Sequence, residues 1–173
     1  MDSYLEECRP LSLNARMGIA ALVFEKFCQE KNIHATWVSE SLDYLWEWPL
    51  IDGPDQFESW EAARPMLVDY GLSGNASEPL KDSLMEANVS EAMFSRIVCS
   101  LIEILWGSFW GAAEDEASYQ CFRTVLTTCN VSELPPLTPF RFSLFSEGSG
   151  WGLRLTKKDR DFWRRCSGAQ FTL

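Results

Sequence analysis

The sequence predicts a mainly α fold, a helical bundle around a central hydrophobic helix, with a small β-hairpin near the C-terminus. Three observations lead there. Apolar residues recur at helical spacing in several segments before Leu134. The segment from Ser90 to Ala113 is apolar on nearly every face, the pattern of a buried helix. After Leu134-Pro135-Pro136 the period changes. Phe140, Phe142 and Leu144 alternate with Arg141, Ser143 and Phe145, and Glu147-Gly148-Ser149-Gly150 precedes Trp151, Leu153 and Leu155.

Residues 13–31 form the clearest amphipathic helix, with Leu13, Met17, Ala20, Ala21, Phe24, Phe27 and Cys28 on one side. Ser12 or Asn14 caps its start and Asn32 stops it. A second helix over 35–47 turns Trp37, Val38, Leu42, Leu45 and Trp46 inward, before Pro49, Gly53 and Pro54 break the chain. Asp55 caps a third helix running through Tyr70 on Phe57, Trp60, Ala63 and Leu67, and Pro65 within it demands a kink or two short helices. Residues 71–79 read as a loop and 80–87 as a short helix. The apolar helix of 90–113 follows, with Gly107 and Gly111 near its end and Trp110 counted among its core tryptophans. Glu114-Asp115-Glu116 opens a helix over 114–129, acids suiting the positive end of the helix dipole. Thr156-Lys157-Lys158-Asp159 resembles a capping box, and a short basic helix carrying Phe162 and Trp163 should follow. No repeat appears. The expectation is one domain over 1–173: a bundle over 1–134, with the hairpin and basic helix of 135–173 packed on it.

Charge is divided unevenly along this chain. Up to Phe140 it carries 22 acidic against 8 basic residues, and from Arg141 onward 7 basic against 3 acidic, for a net charge of −10. That balance disfavours nucleic acid and anionic membrane surfaces as partners; it leaves a basic protein, a cation or a neutral ligand, and a basic partner is the first expectation. A hydrophobic content of 46% with 8 Trp excludes a merely solvating acidic chain. Met1-Asp2-Ser3-Tyr4-Leu5-Glu6-Glu7 lacks the basic start and apolar run of a signal peptide, so a cytoplasmic location with reduced thiols is expected for the six cysteines. The sequons at Asn75, Asn88 and Asn130 then carry no weight.

Catalytic and metal signatures are thin. His34 is the only histidine, no Cys-x-x-Cys pair exists, and Gly148-Ser149-Gly150-Trp151-Gly152 lacks the strand–turn–helix context of a phosphate loop. No metal or cofactor is expected. Glu103, inside an apolar helix, is the sharpest carboxylate candidate for hydrolytic chemistry, against a structural ion pair or hydrogen bond, for instance with Arg96.

The strongest interaction signal runs from Glu40 to Asp69. Glu40, Asp43 and Glu47 share a helix face, and Asp55, Glu58 and Glu61 repeat the arrangement on the next helix. Trp48 lies between them, off the main apolar stripe, as an exposed-aromatic candidate. The predicted partner-binding residues are therefore Glu40, Asp43, Glu47, Trp48, Asp55, Glu58 and Glu61, with an ordinary solvated face as the competing account.

In its small acidic helical type, in Arg16 within an Ala-rich first helix, and in its aromatic tail, the whole chain resembles the immunity proteins of bacterial polymorphic and contact-dependent toxin systems. That resemblance implies a cytoplasmic, non-enzymatic inhibitor of one cognate toxin, often a basic nuclease. Such inhibitors cover the active site or block its assembly. A helical adaptor of another system and a carboxylate-dependent hydrolase are the alternatives.

Overall fold

The computed structural model describes residues 1–166. Among them are nine α-helices: α1 (Asp2–Cys8), α2 (Leu13–Glu30), α3 (Thr36–Glu47), α4 (Pro54–Ala62), α5 (Met66–Ser73), α6 (Glu78–Glu86), α7 (Glu91–Trp106), α8 (Asp115–Cys129) and α9 (Lys157–Arg164). Two capping signals act where they were expected: Ser12 Oγ accepts from the Ala15 amide at 3.2 Å to start α2, and Asn32 takes a left-handed conformation just past its end. Asp55 does not cap the third helix: α4 starts one residue earlier at Pro54, behind Gly53 at φ 80, which leaves Asp55 in its first turn. Asn130, not assigned as a stop from the sequence, ends α8 in the left-handed conformation. Pro65 resolves the predicted 55–70 helix into two pieces, α4 and α5, because the residue before a proline avoids helical geometry. The sequence reading assigned no element to α1. It buries Leu5 and Cys8, and the Tyr119 hydroxyl on α8 donates to the Leu5 carbonyl at 2.8 Å.

The centre of the bundle differs from expectation. Ile97, Leu101 and Leu105 of α7 are buried as predicted, but Arg96 and Glu103 give that helix a solvent side. The enclosed helix is α2, buried continuously from Leu13 to Phe24 and packed against α3, α7, α8 and α9. Its small residues explain why. At Gly18 a side chain would stand 3.1 Å from Trp46 of α3 and 3.3 Å from Phe140, so both rings close directly onto the α2 backbone. Ala15, Ala20 and Ala21 extend the same narrow profile.

The predicted β-hairpin near the C-terminus does not form. Residues 138–152 wind through two single 3-10 turns, and the only strand-type pairing among the described residues is an isolated bridge between Leu11 and Leu144. The backbone groups a hairpin would pair internally are used elsewhere. Ser12 N–H donates to the Ser143 carbonyl at 3.0 Å, and Phe145 N–H donates to the Pro10 carbonyl at 2.9 Å. Gly148, Ser149, Gly150 and Gly152 all take positive φ, which curls the chain rather than extending it. At Gly152 a side chain would meet Ser143 Oγ at 2.2 Å, so the curl also depends on that missing Cβ.

The capping box predicted for α9 is present: Thr156 Oγ1 accepts from Asp159 N–H, and Asp159 Oδ2 accepts from Thr156 N–H at 2.8 Å. Trp163 is fully buried against Phe140, ring centroids 4.8 Å apart, and its Nε1 donates to the Pro139 carbonyl at 2.8 Å. That anchor fixes α9 across the surface of the bundle.

Candidate functional site

The docking of α9 decides the fate of the acidic stripe on α3. Asp43 pairs with Arg164 and Glu47 pairs with Arg160, so two predicted partner residues are matched by the chain's own basic helix. The positional charge split read along the sequence thus closes on itself in space. Glu61 pairs with Arg64, which also reaches Asp69 at 3.0 Å and ties α4 to α5. Glu40, Asp55 and Glu58 are exposed, with no ion pair among the described residues. Of the seven predicted site residues, these three carry free negative charge to solvent.

Trp48, predicted as an exposed aromatic, is half-buried. Its Nε1 donates to Asn14 Oδ1 at 3.1 Å, and its ring contacts Phe109 at 4.5 Å, Trp60 and Trp151 at 5.2 Å, and Phe57 at 6.1 Å between centroids. Tyr44 stacks on Trp60 at 4.4 Å and continues the cluster into the core. The aromatic side chain that stands out is Trp110, 79% exposed and touching Phe57 edge-on at 5.8 Å. Counting Trp110 as core assumed a helix running through it. The helix ends at Trp106, and the chain turns over 107–110, which throws the residue off the apolar stripe.

These rings wall a cleft of about 510 Å³ between the start of α4, the α7–α8 connection and the turn at Gly150-Trp151-Gly152. Trp48, Ile51, Phe57, Phe109 and Trp151 supply its apolar lining, and Asn14, Ser108 and Arg154 its polar lining. Two of those polar groups are already engaged: Asn14 Oδ1 by Trp48, and Ser108 Oγ by the Glu114 amide at 3.0 Å. Arg154 pairs with Asp52 at 2.8 Å, both largely exposed. Sequence reasoning placed Phe57 and the hydrophobics of 140–155 in the core or in a hairpin. The signal for a cleft was available only as tryptophans flanked by glycine, at Trp110-Gly111 and Gly150-Trp151-Gly152.

The catalytic candidates lie apart from this cleft. Glu103 stands exposed on the solvent side of α7 rather than inside the bundle, with Cys121 of α8 close enough to feel its charge. Burial first, and Glu103 second, push the Cys121 thiol up. His34 is exposed beside a smaller polar pocket with Lys31, Ser83 and Glu86. Burial pushes Cys8 up to about 12, aided by Glu7, and Cys129 up to about 12, so both are held as unreactive thiols at neutral pH. Among the described residues no group of His, Cys, Asp and Glu is arranged to hold a metal ion, and no helix is long and apolar enough to cross a membrane.

What the arrangement offers chemically is recognition: aromatic rings along the cleft, one exposed guanidinium–carboxylate pair beside it, and two exposed carboxylates, Asp55 and Glu58, next in sequence to its lining residues on α4. No protein-family model matches the chain, and neither a curated protein nor a solved structure matches it.

Proposed function

We propose that this protein is a cytoplasmic inhibitor of the immunity-protein type, which binds and neutralises one basic protein toxin. The observation that carries this reading is the juxtaposition of unpaired carboxylates with a ring-lined cleft. Asp55 and Glu58 directly follow the lining residues Pro54 and Phe57 on α4, and the exposed Trp110 meets Phe57 edge-on. Aromatic anchors inside a charged rim are the usual composition of a protein-binding patch. A net charge of −10 favours encounter with a basic partner and disfavours acidic ones.

The reading narrows the acidic face first drawn from the sequence. Reversing Asp43 or Glu47 would place like charges against Arg164 and Arg160 and disturb α9, so those positions report on folding as well as on binding. Asp55 and Glu58 are the clean probes. The test is co-expression with the product of the adjacent gene, scored by co-purification and by rescue of growth. We expect a stable complex, with D55K/E58K slowing association about tenfold at low salt while leaving the circular dichroism unchanged. A basic neighbouring product that is toxic alone, remains toxic with this protein and does not co-purify would defeat the proposal.

A further inference from the structure

The cleft also specifies what part of a partner it receives, an inference that rests on the inhibitor reading for the partner's identity but not for its chemistry. We infer that the ring-lined cleft takes an arginine side chain from an exposed loop of a basic protein, with Asp55 and Glu58 drawing it in and the rings of Phe57, Phe109 and Trp151 receiving its guanidinium.

The observations favour a planar cation over other occupants. The rings lie 4.5–6.2 Å apart between centroids, so they pack on one another and present a continuous wall rather than a cage around a compact ammonium. Such a wall suits a flat group that stacks, which is the guanidinium's preference over the ammonium of lysine. The chain already makes this contact elsewhere: Arg9 lies 4.4 Å over the Tyr119 ring, and Arg16 lies 5.3 Å over Phe145. At the cleft itself Asp52 holds the Arg154 guanidinium at 2.8 Å, a pair whose members are 60% and 69% exposed and therefore open to exchange. Electrostatics disfavour a nucleic acid, which would bring negative charge to a chain of net charge −10 whose Asp55 and Glu58, next in sequence to the lining residues Pro54 and Phe57, are exposed without an ion pair among the described residues.

The experiment reads the eight indole N–H resonances of the full-length protein by two-dimensional NMR. The probes are an acetylated, amidated Gly-Arg-Gly-Arg-Gly peptide and its citrulline analogue, which keeps the planar shape but loses the charge. The arginine peptide is expected to shift the Trp110 and Trp151 indoles while leaving those of the buried Trp46 and Trp163 in place. The citrulline peptide should shift none at the same concentration. D55N/E58Q should weaken the arginine peptide about threefold to tenfold at low salt, and Trp110→Ala, a substitution at an exposed ring, about fivefold. Equal shifts with citrulline would overturn the inference in favour of a neutral occupant. Concentration-dependent dimerisation that masks the same indoles would overturn it in favour of a second copy. If the neighbouring gene product binds unchanged to D55N/E58Q and W110A, the inhibitor reading survives and this cleft assignment falls. If the peptide behaves as expected and no neighbouring product binds, the cleft stands and the inhibitor reading falls.

Discussion

Arg16 concentrates the chemistry of the fold in one side chain. It is fully buried in α2, yet it donates to the Arg9 carbonyl at 2.8 Å, the Asp115 carbonyl at 2.9 Å, Ser118 Oγ at 2.7 Å and Asp115 Oδ1 at 2.6 Å. Those four acceptors belong to the exit of α1 and the first turn of α8, so one guanidinium joins three helices. Burial lowers its pKa and the Asp115 carboxylate opposes that shift, leaving a charge retained by its hydrogen bonds. Only its Nε lacks a partner. Because Asp115 is 43% exposed, removing the arginine does not strand a buried carboxylate, and the Asp115 carbonyl keeps the Ser118 hydroxyl at 3.2 Å, but the Arg9 carbonyl loses its donor and a cavity opens. Arg16→Ala is expected to destabilise the protein by about 3 kcal/mol, measurable by urea unfolding. A loss below about 1 kcal/mol would show that water substitutes for the guanidinium.

At the scale of elements, α9 shows how a short helix holds its place. Eight residues are too few to be helical alone in water, so the capping box and the Trp163 anchor must hold it. Hydrogen bonds from the Thr156 hydroxyl and amide hold the Asp159 carboxyl below its ordinary range. The sign follows from that depression: the stabilisation is complete above the unfolded aspartate value and is lost as pH falls through the depressed folded value. Asp159→Ala should cost about 0.5–2 kcal/mol at neutral pH. The difference from the parent should shrink in acid, as followed by thermal unfolding at a series of pH values. A pH-independent difference would mean that Asp159 acts through packing rather than through its charge.

For the molecule as a whole, the acidic excess is a cost to the free fold, whatever it contributes to the proposed encounter with a basic partner. Asp43, Glu47, Glu61 and Asp69 are offset by Arg164, Arg160 and Arg64, but Glu40, Asp55, Glu58, Asp82 and Glu86 have no ion pair among the described residues. Surface repulsion of this kind is weak and is screened within roughly 10 Å at 0.1 M salt. Neutralising Asp82 and Glu86 together, both distant in sequence from the cleft, should raise the melting midpoint by about 1–2 °C at low ionic strength and by nothing measurable in high salt. A rise that persisted in high salt would point to helix propensity in α6 instead.

Local signals carried the secondary structure. Ser12, Asn32, Pro65 and the Thr156–Asp159 box act within a turn of where they stand, so the ends of α2, the start of α9 and the α4–α5 break were legible without a fold, whereas the start of α4 at Pro54 and the end of α7 at Trp106 were not. Charge composition was equally legible, since it needs only the residues. Pairing across the chain was not. Which helix became central depended on Gly18 admitting Trp46 and Phe140, whose positions lie far along the sequence. The tail failed as a hairpin because the Pro10–Ser12 segment, more than 130 residues away, claimed the amide of Phe145 and the carbonyl of Ser143. For the same reason the acidic face was only half visible: its periodicity is written in α3 and α4, but the basic helix that neutralises Asp43 and Glu47 reaches them through the burial of Trp163. Trp48 and Trp110 exchanged their expected roles because exposure is set by where neighbouring elements close, and the turn after Trp106 opened the one site while Phe109 and Trp151 covered the other. Spacing along a helix fixes which side chains share a face; only the packed chain determines what that face meets.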